Sequence, residues 1–184
     1  SNASTHRHTS DVPMIIPEIN HHHLDMIPIQ RKNRNWKKGF IVVKPNCSLQ
    51  SYLAPLFALH KKFKIRKAVI TTMQAVSGAG HPGVASFDIV DNVIPYIGGE
   101  EEKSENEPKK ILGGIENYKF VYDESFEISA HCNRVNTIDG HMACVSVEFE
   151  KKPSKEEILK IWKEFKSLPQ ELKLPFAPVQ PIIY

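Results

Sequence analysis

The sequence lacks the long apolar run that a membrane-spanning helix requires, and its first residues show no signal-peptide pattern. Cysteine is also scarce: there are three, an odd number, and no two of them have metal-ligand spacing. Free thiols of this kind are typical of a reducing compartment. We therefore expect a cytoplasmic protein that does not cross a membrane.

Strong charge of one sign is missing as well, because 24 lysines and arginines are offset by 21 acids to give a net charge of +3. The lysines are scattered among acids, which argues against a nucleic-acid-binding surface. The basic run at 31–34 is interpreted as a solvated turn rather than a phosphate track. What remains is a composition typical of globular proteins, with 41% hydrophobic and 24% charged residues.

The 184 residues suffice for one domain with a hydrophobic core. We interpret residues 1–3 (SNA) as a scar that a protease leaves after recombinant expression. The single domain is therefore predicted over residues 4–184.

Apolar periodicity predicts strands that alternate with helices at first, and antiparallel strands later. Strands are predicted at the start of 12–24 and at 39–43, 68–73, 126–131 and 142–150. Helices are predicted from Cys47, within 84–97 and from Ser154, where Glu157 completes a capping box. The last two strands are expected to pair with each other, since Asp139-Gly140 between them is a turn signal. The predicted fold class is α+β, a mixed, largely antiparallel sheet with helices on one face.

Cys47 follows a predicted buried strand and stands where a helix is predicted to begin. Unpaired N–H groups and the positive end of the helix dipole stabilise a thiolate there, and the thiolate is the nucleophilic form of cysteine. Position alone would still favour a buried structural cysteine over a catalytic one.

Three other motifs are interpreted as having no special chemistry. Segment 78–83 (GAGHPG) spells G-x-G-x-x-G, but Pro82 removes an N–H that a dinucleotide-binding turn needs, and no βαβ unit follows. The run 21–23 (HHH) has no partner ligands at recognisable spacing, so a surface turn is favoured over a metal site. An acidic run that includes Glu101 and Glu105 is interpreted as solvated.

The neighbours of Cys47 change its interpretation, because several segments resemble aspartate-semialdehyde dehydrogenases in collinear order. These segments are 45–48 (PNCS), 73–80 (MQAVSGAG), 99–103 (GEEEK), and 131–135 (HCNRV) followed by 139–141 (DGH). The early segment 12–20 (VPMIIPEIN) is similar to archaeal and fungal-like members of that family. The resemblance implies the C-terminal catalytic fold of glyceraldehyde-3-phosphate-dehydrogenase-like enzymes.

The resemblance also implies a reaction, the reversible reduction of β-aspartyl phosphate to aspartate β-semialdehyde with NADPH in lysine, threonine and methionine biosynthesis. A thiolate would expel phosphate and form a thioester, which a hydride then reduces. The family's roles make Cys47 the nucleophile and His141 the acid/base. Gln74 and Asn46 would position the reacting intermediate.

Substrate and cofactor contacts follow from the same resemblance. Arg134 would clamp the substrate carboxylate, because a planar guanidinium suits bidentate recognition. Glu100 would bind the substrate ammonium, and Lys103 would bind phosphate. Ser77 and Gly78 would approach the nicotinamide of NADP, and no metal is implied.

Complete chains of the family are longer than this sequence. The resemblance therefore implies a nucleotide-binding domain before residue 4 and a closing helix after Tyr184. That domain would bind most of NADP, choose between NAD and NADP, and supply an arginine to the phosphate site. We expect the chain alone to be inactive and to form a homodimer.

Two alternatives remain open. Malonyl-CoA reductase and N-acetyl-γ-glutamyl-phosphate reductase share the thioester chemistry, but the set of Glu100, Lys103 and Arg134 favours an amino-acid acyl phosphate. A charged ammonium needs a carboxylate partner, which Glu100 would supply. The other alternative is a non-catalytic dimerisation or binding module, whose Cys47 would react like an ordinary thiol.

Overall fold

The computed structural model describes residues 4–184, so the interpretation of residues 1–3 as a scar lies outside the described residues. The α-helices are α1 (Pro17–Asn20), α2 (Ile27–Asn33), α3 (Leu53–Phe63), α4 (Ser86–Ile89), α5 (Glu100–Leu112), α6 (Lys155–Glu164) and α7 (Leu168–Glu171). The strands are β1 (Ile65–Gln74), β2 (Val93–Ile94), β3 (Gly114–Glu116), β4 (Lys119–Val121), β5 (Glu127–Val135) and β6 (Met142–Phe149). Short 3-10 helices span Ser4–His6, His21–Met26, Ser48–Ser51 and Val76–Ala79.

The main sheet has four strands in the order β2-β5-β1-β6. β1 runs parallel to β5, whereas the β1–β6 and β2–β5 pairs are antiparallel. Apolar side chains of α3, such as Leu53 and Leu56, join Ala68 and Ile70 of β1 in one buried cluster, while Val69 between them is exposed on the other face. The predicted α+β class, a mixed sheet with helices on one face, is confirmed.

The predicted pairing of the last two strands is wrong, because β1 lies between β5 and β6. Their connection, 136–141, therefore passes over the end of one strand instead of making a hairpin. Neighbouring strands are about 4.8 Å apart, so this connection covers roughly 10 Å, which a few extended residues span easily. The turn signal at Gly140, whose φ is +89°, is real, but it serves a longer loop.

The strands predicted at the start of 12–24 and at 39–43 are also wrong. The structure has only a single parallel bridge there, between Met14 and Val43. From Pro17 the chain is helical, because proline suits the first position of a helix. The Asn20 side chain fixes this turn, since its Oδ1 accepts the N–H of Ile16 and its Nδ2 donates to the carbonyl of Met14.

The acidic run predicted to be solvated instead covers an edge of the sheet. β2 is so short that, among the described residues, most of the outer edge of β5 has no neighbouring strand. Glu101 accepts the N–H of Cys132, and Glu105, one helical turn later, accepts the N–H of Ala130. These bonds satisfy backbone donors that could otherwise recruit another strand.

The histidine run is not simply a surface turn either. His23 is fully buried against Phe120, 5.1 Å between ring centroids. Its Nε2 lies 3.0 Å from the carbonyl oxygen of Gly113 and its Nδ1 lies 3.1 Å from Nδ2 of Asn20. A carbonyl only accepts, so Nε2 carries the proton of a neutral ring and Nδ1 accepts from the amide. Burial lowers the pKa of His23 to about 4.

This buried imidazole predicts a loss of stability in acid. The unfolded chain protonates His23 near pH 6.5, whereas the folded chain does so only near pH 4. The contribution of neutral His23 to the free energy of unfolding is therefore fully present above pH 6.5, and roughly 2 to 3 kcal/mol of it is lost as the pH falls to 4. Urea unfolding at several pH values measures this slope. His23→Gln can make both hydrogen bonds without titrating, so an equally steep slope in that variant would contradict the assignment.

Among residues 4–184, no helix is long and apolar enough to cross a membrane.

Candidate active site

Cys47 does not lie in the first turn of an α-helix, which corrects the prediction from sequence. It precedes the 3-10 helix Ser48–Ser51, and α3 begins only at Leu53, because Tyr52 interrupts the helix with φ −131°. Pro55 then falls in the first turn of α3, where its missing N–H has no intrahelical role. One short turn supplies little dipole, so the environment of the thiol depends on side chains.

The side chain of Asn46 shapes the turn that carries the thiol. Its Oδ1 accepts from both the backbone N–H and the hydroxyl of Ser48, at 2.9 and 2.7 Å. Its Nδ2 donates to Oε2 of Glu100 at 2.7 Å. Asn46 thus links the turn that carries Cys47 to the start of α5, and its own amide plane is fixed by bonds at both ends.

His141 is the direct partner of the thiol, with Nε2 3.2 Å from Sγ of Cys47. Its other nitrogen, Nδ1, accepts the backbone N–H of Ala75 at 3.1 Å. A backbone N–H can only donate, so Nδ1 is unprotonated and the neutral ring carries its proton on Nε2. The imidazole therefore donates its Nε2–H toward the sulfur of Cys47.

The electrostatic surroundings keep this imidazole neutral. Burial lowers the pKa of His141, the positive charges of Arg134 and Lys44 lower it further, and the charge of Glu100 opposes them. Protonating the ring would also place an N–H on Nδ1 opposite the N–H of Ala75. His141 can therefore present an N–H to the sulfur, or to an oxygen that develops negative charge beside it, at neutral pH.

Glu100, the first residue of α5, joins three of the predicted site residues. Its Oε2 accepts from Asn46 and from Nε2 of Gln74 at 3.1 Å, and its Oε1 accepts from Lys103 at 2.8 Å. Burial would raise the pKa of Glu100, but the hydrogen bonds from Lys103, Asn46 and Gln74 together lower it. Gln74 is held at its other end by the hydroxyl of Thr72.

These side chains surround an open cleft of about 470 Å³. Its lining consists of Ser4, Arg7, Lys44, Asn46, Cys47, Ser77, Gly78, Gly80, Glu100, Lys103 and His141. Seven of the nine predicted site residues are therefore in its wall. Gln74 lies behind Glu100, and Arg134 lies beneath Gly78, where its Nη1 donates to the carbonyl of Ala75 at 2.8 Å.

Arg7 and Lys44 were not identified from the sequence. Arg7 belongs to a polar segment without periodicity, and it reaches the cleft only because α5 anchors it: Lys110 donates to its carbonyl and Glu107 accepts from its guanidinium. Lys44 directly precedes the PNCS segment, which is the signal that could have identified it. With Lys103, these residues give the cleft three cationic side chains, a set that suits a phosphate or carboxylate.

Within residues 4–184, no three histidine, cysteine, aspartate or glutamate side chains are grouped so that they could hold a metal ion.

Gly78 has a steric role that a substitution can test. A Cβ there would lie 2.9 Å from Nη1 of Arg134 and 3.0 Å from Cε1 of His141, so both side chains would have to shift. We expect Gly78→Ala to weaken the His141–Cys47 contact and slow alkylation of Cys47 by iodoacetamide about fivefold, a partial loss of a charge-assisted bond. The readout is peptide mass spectrometry, with peptides of the same protein that contain no cysteine as the reference for quantity.

Gly98→Ala is the matched control for this substitution, because nothing lies within 4 Å of a Cβ at Gly98. It should leave alkylation of Cys47 unchanged. Equal rates in wild type and Gly78→Ala would contradict the steric argument.

Comparisons with known proteins agree with this geometry. The family described as semialdehyde dehydrogenase, dimerisation domain, matches residues 53–181. Aspartate-semialdehyde dehydrogenase of Aspergillus fumigatus is 46% identical over 99% of this chain and 52% of its own length. Malonyl CoA reductase (NADP) of Metallosphaera sedula is 42% identical over 100% of this chain and 51% of its own length.

Among solved structures, aspartate semialdehyde dehydrogenase with NADP from Candida albicans superposes with a TM-score of 0.84 at 38% identity. That match covers 98% of this chain and 52% of the other. The chain spans about half the length of the curated relatives it matches.

Proposed function

The chain belongs to the semialdehyde dehydrogenase family, as its dimerisation domain, and we propose that it is the catalytic half of an aspartate-semialdehyde dehydrogenase. The observation that carries the proposal is the Cys47–His141 contact of 3.2 Å, at the edge of a cleft with three cationic side chains. A thiolate, an N–H donor and an anion site are what thioester chemistry on an acyl phosphate requires.

In this reaction Sγ of Cys47 attacks the acyl carbon of β-aspartyl phosphate. A C–S bond forms, the C–O bond to the phosphate breaks, and phosphate leaves as an anion toward the cationic wall. His141 donates from Nε2 to the acyl oxygen as it gains charge. After reduction the C–S bond breaks, which releases aspartate β-semialdehyde and returns the thiolate. Run in reverse, the same steps consume aldehyde and phosphate.

Charged side chains select the substrate in this proposal. Glu100 remains ionised at the floor of the cleft and would pair with the substrate ammonium, while Lys103 and Arg7 would contact phosphate. Arg134 would bind the substrate carboxylate, as predicted from the sequence, once the substrate reaches past Gly78. Gln74 and Asn46, both held by Glu100, would keep the intermediate in position.

A nicotinamide nucleotide supplies the hydride for this reaction, and the relative from Candida albicans has been solved with NADP. Ser77 and Gly78 fit one end of it, because both are exposed on the wall of the cleft near Cys47. Pro82 and the four-residue α4 that follows do not make a turn suited to a pyrophosphate. Most of the nucleotide would therefore bind to a separate domain, as the resemblance implies.

A homodimer is part of the proposal. Away from its charged end at Lys67 and Glu127, the sheet face opposite the helices presents small and apolar side chains of three adjacent strands, including Val69 of β1, Ser129 of β5 and Cys144 of β6. Such a face suits packing against a second copy. Light scattering at micromolar concentration should give a dimer mass, and monomer alone would contradict it. The three free thiols fit a cytoplasmic setting.

The direct test uses the full-length protein that carries this chain. We expect it to reduce NADP when given aspartate β-semialdehyde and phosphate, and the isolated 184-residue chain to show no turnover. The absorbance of the reduced nicotinamide reports the rate. Absence of turnover in the full-length protein, with phosphate and nucleotide saturating, would contradict the proposal.

Malonyl-CoA reductase is the second candidate, because the Metallosphaera sedula relative bears that name and is about as similar as the dehydrogenases. The thiol and histidine serve both reactions equally. Parallel assays of the full-length protein with malonyl-CoA plus NADPH, and with aspartate β-semialdehyde plus phosphate, separate them. The carboxylate of Glu100 in the wall of the cleft favours the amino-acid substrate, because a substrate ammonium needs such a partner.

A further inference from the structure

Helix α5 carries four ionisable side chains on one face, at Glu100, Lys103, Glu107 and Lys110. The first two line the cleft. Glu107 is fully buried two turns further along the helix, and none of the steps described above uses it. A buried carboxylate is costly unless its oxygens receive strong hydrogen bonds, so its partners indicate its role.

Both oxygens of Glu107 accept hydrogen bonds from the site. Oε1 accepts from Nη1 of Arg7 at 2.9 Å, and Oε2 accepts from the backbone N–H of Asn46 at 2.6 Å. Asn46 directly precedes the nucleophile. One carboxylate therefore joins the backbone beside Cys47 to a guanidinium in the wall of the cleft.

Two further bonds complete the placement of Arg7. Its Nε donates to the carbonyl of Lys44 at 3.1 Å, and its own carbonyl accepts from Lys110 at 2.7 Å. The backbone of the segment is thus fixed by Lys110, whereas the direction of the guanidinium depends on Glu107 and Lys44. Among residues 4–184, only Glu107 supplies a negative charge to that guanidinium.

We infer that Glu107 is a positioning residue that holds the Arg7 guanidinium in the cleft for an anion and fixes the backbone before Cys47 at the same time. The inference rests on the proposed function, because it deepens the phosphate site of that reaction. Glu107 itself touches neither the substrate nor the thiol. Its effect passes through Arg7 and Asn46.

Chemistry predicts that glutamine cannot replace this glutamate. Arg7 and the backbone of Asn46 both donate, so the site needs two acceptors. A glutamine offers one acceptor oxygen and one NH₂ group, which would set donor against donor at one of the two positions. Aspartate keeps both acceptors on a shorter arm and should be intermediate.

The experiment measures how inorganic phosphate protects Cys47 from iodoacetamide in the full-length protein. Cys47 alkylation is followed by peptide mass spectrometry, with peptides of the same protein that contain no cysteine as the reference for quantity. We expect Glu107→Gln to raise the phosphate concentration for half-protection about 10-fold, and Glu107→Asp about threefold. Arg7→Gln should raise it as much as Glu107→Gln, and the double variant no more than Arg7→Gln alone, because both act through one guanidinium.

Arg34→Gln is the matched control, because it breaks the Arg34–Asp11 ion pair, which contacts none of the residues lining the cleft. It should change the half-protection concentration by less than about twofold. If Arg34→Gln and Glu107→Gln shift it equally, the role of Glu107 is merely structural and the inference fails. It also fails if phosphate does not protect the wild type, or if the double variant shows additive effects. Should Glu107→Gln not fold, Glu107→Asp decides by the same criteria.

The proposed function is read separately, from turnover of the wild type. A protein that reduces malonyl-CoA but ignores aspartate β-semialdehyde would overturn that function. The Glu107 result would still stand if the half-protection concentration shifts as expected.

Discussion

Cys47→Ser is expected to abolish the dehydrogenase activity that we propose for the full-length protein, with a loss of at least about 10³-fold in kcat, or about 4 kcal/mol in the barrier. A serine hydroxyl is not ionised near neutral pH, and the N–H that His141 points at the sulfur cannot remove its proton. The neutral imidazole would donate to the hydroxyl oxygen instead. The measurement is steady-state turnover with saturating aldehyde, phosphate and nucleotide.

The matched control is Cys144→Ser, on the sheet face opposite the helices and away from the cleft. It should retain turnover and remain sensitive to iodoacetamide, whereas the activity of Cys47→Ser should be negligible before any alkylation. Because serine is only slightly smaller than cysteine and also has a polar group, the unfolding midpoints of both variants should match that of the wild type. Turnover of Cys47→Ser above about a tenth of wild type would mean that the nucleophile lies elsewhere.

The family resemblance identified those parts of the proposed site that lie in short continuous segments of the sequence. Segment 45–48 (PNCS) contains Asn46 and Cys47, and segment 73–80 (MQAVSGAG) contains Gln74 and Gly78. Each of these residues lies at the end of a strand or in a turn. Its position in the site therefore depends mainly on its neighbours in the same segment. The structure then brings the segments together, since β1 and α5 both end or begin at the cleft.

The parts that escaped prediction depend on contacts between distant segments. Arg7 and Glu107 are 100 positions apart in the chain, and no local pattern relates them. Glu107 also lies in an acidic run, where composition predicts solvation, yet it is fully buried because Arg7 and Asn46 supply donors for it. A sequence gives the charge of each residue, but it does not give the distant residues with which that charge forms hydrogen bonds.

The fold shows the same division between local and distant interactions. The capping box of Ser154 and Glu157 is a local signal, and the structure shows both of its hydrogen bonds at the start of α6. The position of β1 between β5 and β6 depends on tertiary contacts, which a local turn signal does not predict. The start of the helix at Cys47 was predicted wrongly for a related reason. The apolar residues after Cys47 have helical spacing throughout, but the backbone of Tyr52 is not helical, so α3 begins only at Leu53.

Gly113→Ala is expected to destabilise the protein by about 3 kcal/mol or more, near the upper end for overpacking, because backbone would have to move. Gly113 ends α5, and a Cβ there would overlap the carbonyl oxygen of Val121 in the neighbouring strand β4. Its carbonyl also accepts from the buried His23, so any displacement disturbs that contact too. Urea unfolding of the variant and wild type measures the loss.

Gly114→Ala is the control that isolates the steric cause, since nothing lies within 4 Å of a Cβ at the very next position. Its free energy of unfolding should stay within about 1 kcal/mol of the wild type, and equal losses in the two variants would contradict the argument. Gly113 lies at the end of α5 remote from Glu100 and Lys103, so folded Gly113→Ala protein should keep its Cys47 alkylation rate. Loss of stability without loss of thiol reactivity would show that the two ends of this helix have separate roles, one in the packing of β3 and β4 and the other in the chemistry of the cleft.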